Sequence, residues 1–79
     1  MIGSLLKYDE EKRQLFRPNA PTYKKFDQQV GLCISYVVDA GNGDEHVRVQ
    51  WLRPKETQTK FSDFGLNNFI VIEKVNAKK

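Results

Sequence analysis

With one cysteine, one histidine and no apolar run longer than the four residues "FIVI" (Phe69 to Ile72), this 79-residue chain excludes several classes of protein at once. Cys33 alone cannot close an intramolecular disulfide, and no Cys/His grouping has metal-ligand spacing. A reducing compartment is expected, with no cofactor and no metal. The longest apolar run falls far short of the roughly 18 residues that cross a bilayer as a helix. At the start, "MIGSLLKYDEE" has neither the basic leader nor the apolar stretch of a signal peptide, so neither membrane association nor secretion is expected.

Reactive groups are equally scarce. There is no phosphate-cradling glycine loop and no dinucleotide fingerprint, since Gly41 and Gly43 sit in a turn sequence. Cys33 reads as a small strand residue and His46 as a solvated residue at a strand start, and neither has an identifiable catalytic partner. No enzymatic activity is expected. Charge of one sign is also modest. Thirteen Lys and Arg against ten Asp and Glu give a formal charge of +3, two units of which come from Lys78 and Lys79 in the terminal "NAKK". So slight an excess is weak evidence for a polyanionic partner.

What the chain does hold is aromatic side chains: five Phe, three Tyr and one Trp. A domain this small needs such large buried groups to offset its chain entropy. The composition fits one domain over residues 1–75, followed by a flexible basic tail at 76–79.

Alternation defines most of the elements. "IGSLLKY" (Ile2 to Tyr8) is too short for a stable helix and reads as a first strand. "VGLCISYVVD" (Val30 to Asp39) carries Leu32, Ile34, Tyr36 and Val38 at period two, the expected core-facing set. "AGNGDE" supplies the reversal, through the positive-φ preference of Asn42-Gly43, and "HVRVQWL" restarts the alternation as the second arm of a hairpin. There Val47, Val49 and Trp51 face the core, and Arg48, Gln50 and Leu52 face outward. Pro54 ends the arm and "KETQTK" forms a polar connection. In "FSDFGLNNF", Ser62 is expected to cap a one-turn 3-10 element with Phe61, Phe64 and Leu66 turned inward. "FIVIEKV" (Phe69 to Val75) closes the fold, its unbroken apolar run predicting burial on both faces or at a barrel seam. Between the first two strands, Asp9 to Gln29 is a long excursion interrupted by Pro18 and Pro21, with a hairpin arm through "RQLFR".

The skeleton "IGSLLKY … VGLCISY … VRVQWL … FSDFGLNNFIVI" resembles the small SH3-like proteins encoded by tailed bacteriophages, many of them marine. The resemblance covers Ile2 to Tyr8 and Val30 to Val75 but not the insert at residues 9–29, which is longer than usual for such proteins. It implies an all-β fold: a small five-stranded SH3-like barrel with a long first loop and a 3-10 turn before the last strand. It also implies a non-enzymatic binding module, either a minor virion component of capsid or tail or a protein that binds a host factor. Such a protein would work in the host cytoplasm during infection, or in the virion. The skeleton is similar to KOW-type and Tudor-type barrels too, which implies an alternative nucleic-acid-binding reading through Arg17, Lys24, Lys25, Arg48 and Arg53.

The richest candidate surface is "FRPNAPTYKKF", in which Arg17, Tyr23, Lys24, Lys25 and Phe26 combine charge with stacking groups. Phe16 and Phe26 are the expected staples of the insert to the barrel. A partner protein is the favoured occupant, because prolines and aromatics on a loop suit an apolar contact ringed by charge. The expected partner-binding set is therefore Arg17, Tyr23, Lys24, Lys25 and Phe26, joined by the outward residues Arg48, Gln50 and Leu52.

Overall fold

Val47, Val49 and Trp51 alternate inward and Arg48 and Gln50 outward along one strand, Glu45–Trp51 (β3), which sits near the centre of an antiparallel sheet. The structure is a computed structural model and describes residues 1–73. The other strands are Leu5–Tyr8 (β1), Val30–Val38 (β2), Phe61–Gly65 (β4) and Phe69–Glu73 (β5). Hydrogen-bonded neighbours run β4-β3-β2-β1-β5. The expected barrel does not close: β4 and β5 are the two edges of an open sheet, and no ladder joins them among the described residues. A 3-10 turn, Leu66–Asn68 (η1), leads into β5 as expected. The remainder of the expected last strand, to Val75, and the expected tail at 76–79 lie outside the described residues.

The inward set on β2 differs from the period-two expectation. Gly31 pairs with Trp51 and Cys33 with Val49, both turned inward, whereas Leu32 and Ile34 are only half-buried and Val38 is exposed. A bulge between Cys33 and Ser35 then shifts the phase, so that Tyr36 pairs with Val47 and packs against the core. A glycine is required at position 31. A Cβ there would lie 2.9 Å from Val49 Cβ, with no flexible side-chain end to yield. In the turn joining β2 and β3, Gly43 alone takes a positive φ, of 77°, while the Asp39 and Asn42 side chains accept from the Gly41 and Asp44 N–H groups.

The core is largely aromatic. Tyr8, Phe26, Trp51 and Phe69 are buried together with Leu6, Cys33, Val47 and Val49, and half-buried Phe64 meets the edges of Phe26 and Phe69. Trp51 is 2% exposed, and its indole Nε1–H donates to Ser62 Oγ at 2.9 Å. Ser62 therefore belongs to β4 rather than to a turn cap. Two further expectations fail for one reason. Phe61 is 49% exposed, and Ile70, Val71 and Ile72 are 49%, 39% and 51% exposed, because an open sheet leaves its edge strands uncovered. Only Phe69 of the "FIVI" run is buried.

Candidate functional site

The insert between β1 and β2 is not a hairpin arm. Asp9 accepts the Lys12 N–H at 3.0 Å, and Glu10 and Glu11 occupy the positive end of the helix that follows, Glu10–Phe16 (α1). The helix stops at Arg17, ahead of Pro18, as expected for the residue before a proline. Pro21 then opens the single turn Pro21–Lys24 (α2), where its missing N–H and fixed φ cost nothing.

One ring contact pins this excursion to the sheet, and one ion pair braces it internally. The Phe26 ring stacks on Trp51, with centroids 5.0 Å apart and planes 14° apart. Arg13, its side chain 3% exposed, grips Asp27 in a bidentate pair, Nε to Oδ1 at 2.7 Å and Nη2 to Oδ2 at 2.9 Å. Its remaining Nη1 donates to the Arg17 carbonyl at 3.1 Å, which closes the end of α1. The side chain bond to Asp27 raises the Arg13 pKa and keeps it charged. A second pin involves Gln29 and Gln58, whose amides donate to each other at 3.0 Å or less.

The expected partner-binding residues are distributed over this frame in two groups. Arg17 is exposed, donates to Asn68 Oδ1 at 3.2 Å and lies over the Tyr23 ring at 4.8 Å. Tyr23 is half-buried with its ring 6.2 Å from Phe64, and Lys24 is exposed. Lys25 lies over the Phe26 ring at 5.3 Å, but Phe26 itself is buried at 7% exposure and offers a partner no surface. The second group occupies the other face of the sheet. Arg48 is locked to Asp63 in an exposed bidentate pair that holds the Asp63 carboxyl below its ordinary range. Gln50 is exposed, and Leu52 is 52% exposed.

Alternation on β3 separates the two groups. The insert packs on the face of Trp51, while Arg48 and Gln50 project from the opposite one. Only Leu52 approaches the insert, in an open groove of about 460 Å³ shared with Gln28, Gln29, Val30 and Arg53. On the insert side another groove, about 350 Å³, runs between α1 and η1 and is lined by Lys12, Phe16, Arg17, Asn67 and Asn68 among others.

Residues outside the expected set shape these surfaces most. Leu15 and Phe16 are 74% and 68% exposed on α1, so Phe16 is not a staple, and Phe26 alone fills that role. Lys12 donates to the Asn67 carbonyl at 2.8 Å, which joins α1 to η1. The signal for α1 was an Asp followed by two Glu residues, a helix-start pattern. Among the described residues no group of three His, Cys, Asp or Glu side chains is placed to hold a metal, and no helix is long and apolar enough to cross a membrane. No protein family, no curated protein and no solved structure matches this chain.

Proposed function

We propose that this chain is a non-enzymatic, phage-encoded protein-binding module with an incompletely closed SH3-like fold, which docks on a virion protein or a host protein. The strand order, the long insert between β1 and β2, and the 3-10 turn before β5 support the SH3-like reading. The observation that carries the binding role is the rigid presentation of α1. Phe26 fixes the insert on the core and the Arg13–Asp27 pair braces α1 within it, yet Leu15 and Phe16 stand out in water beside Arg17. Exposed apolar side chains on a pre-ordered element gain their covering energy with little ordering cost.

Nucleic acid is the weaker occupant. Arg48 is already neutralised by Asp63 and faces away from the insert, and Glu10 and Glu11 on α1 would oppose a phosphate backbone. Mass spectrometry of purified virions, with and without Leu15→Asp/Phe16→Asp in the encoded chain, tests this reading. Stoichiometric incorporation that the double variant abolishes, while the isolated variant keeps its melting temperature, is expected for the virion role. Binding to single-stranded DNA that weakens steeply with salt would overturn the proposal in favour of the KOW-type or Tudor-type alternative.

A further inference from the structure

The exposed "FIVI" run has its own geometry. Tyr8 N–H donates to Gln29 O at 2.9 Å, so the Tyr8 backbone faces β2, and by alternation the Lys7 backbone faces β5. Asp9 N–H donating to Asn68 O at 2.9 Å agrees with this phase. Lys7 is the register partner of Ile70, so Ile70 spends its N–H and C=O on β1. The Phe69 C=O and both groups of Val71 therefore point to the edge that is left unpaired among the described residues, whereas the Phe69 N–H is already donated to the Leu66 C=O and closes η1. Beyond Val71 the register jumps, with Leu6 opposite Val71 and Leu5 opposite Glu73, leaving Ile72 as an extra residue that bends the strand. The straight stretch of this edge is thus Phe69–Val71, which has its first N–H closed by η1 and bears neither charge nor proline.

We propose that this edge pairs with the same edge of a second copy, giving a two-fold dimer whose axis passes beside Ile70. About that axis Phe69 of each copy faces Val71 of the other, and the Val71 N–H of each copy donates to the Phe69 C=O of the other, giving two hydrogen bonds. The two Ile70 residues meet as a non-hydrogen-bonded pair, in which side chains come closest. Charge favours this occupant. The antiparallel arrangement brings Glu73 of each copy toward the η1 end of the other, where Lys12 and Arg17 rest on neutral acceptors at Asn67 and Asn68 and have no carboxylate partner among the described residues. The opposite edge is less suited: β4 carries Asp63 at its centre, committed to Arg48. A ladder this short buries less than a standard interface, so the dimer is weak and depends on concentration.

Sedimentation of the wild-type chain from about 10 µM to about 1 mM is expected to show a monomer–dimer equilibrium. Ile70→Glu leaves the carboxylate opposite Lys7 within its own chain but sets two carboxylates face to face at the axis, and should weaken association at least about tenfold. Ile70→Lys should do likewise, and an equimolar mixture of the two variants should restore the dimer. Ile70→Cys should form an intermolecular disulfide in air, since such pairs place Cα atoms at about 4.5 Å. Leu52→Cys, equally exposed, should not. A wild-type chain that stays monomeric across the range would overturn the proposal. So would a dimer indifferent to both charged variants, or a Leu52→Cys chain that crosslinks as fast as Ile70→Cys.

Discussion

Trp51 ties the insert, β3 and β4 together through one side chain. It is the inward end of β3, the platform for Phe26 and a hydrogen-bond donor to Ser62 in β4. Truncation to alanine removes the ring that the insert rests on. Trp51→Ala should cost about 3–5 kcal/mol, enough to unfold most of a domain this small. Ser62→Ala separates the ring from its polar handle, because the indole stays buried with its N–H unpaired. That variant should fold but lose about 1–3 kcal/mol. Urea denaturation of both variants provides the comparison, and equal stability of Ser62→Ala and wild type would show that the indole N–H finds another acceptor.

At the scale of elements, the insert is braced internally by one ion pair and held to the rest of the fold by a ring stack and side-chain hydrogen bonds rather than by a ladder. Arg13→Ala leaves the Asp27 carboxylate without its bidentate partner and frees the end of α1 at the Arg17 carbonyl. The sheet does not depend on that pair. Limited trypsin digestion should therefore cut Arg13→Ala at Lys24 and Lys25 well before the strands, with Arg13→Lys intermediate because a lysine cannot reproduce the fork. Loss of the strands at the same rate as the insert would mean that the excursion and the sheet unfold as one unit.

Element type was legible wherever one face of a strand is apolar and the other polar, as in β3, where Val47, Val49 and Trp51 declare the inside. On β2 both parities are apolar, and the bulge after Cys33 exchanges them, so alternation alone chose Leu32 and Ile34 over Gly31 and Cys33. The "FIVI" run failed differently. Apolar continuity signals burial only if something covers the strand, and an unclosed sheet leaves Ile70 and Ile72 at the rim. The candidate surface was legible as composition but not as place. Sequence neighbours Lys25 and Phe26 part company, one exposed and one in the core, and no local pattern reveals that Phe26 has a tryptophan to stack on.

For the whole molecule, the burial that builds the core also sets its response to alkali. Burial pushes the Cys33 thiol above its ordinary value of 9.0 and the Tyr8 phenol above 10.0. The Tyr36 hydroxyl, which donates to the Glu45 carboxylate, is raised above 10.0 chiefly by that bond, since ionisation would break it and set two anions together. In each case the folded chain holds its proton more tightly than the unfolded chain does. The stabilisation is complete below the unfolded values and is lost as pH rises through the folded ones, so stability should be flat near neutrality and decline from about pH 9 upward. Thermal melts between about pH 7 and pH 11 should show this fall. Tyr36→Phe, which removes one of the three groups and leaves its ring, should make the alkaline slope shallower. A melting temperature that holds or rises through that window would mean that these groups ionise as readily in the fold as outside it, which the burial of Tyr8 and Cys33 at 1% exposure each argues against.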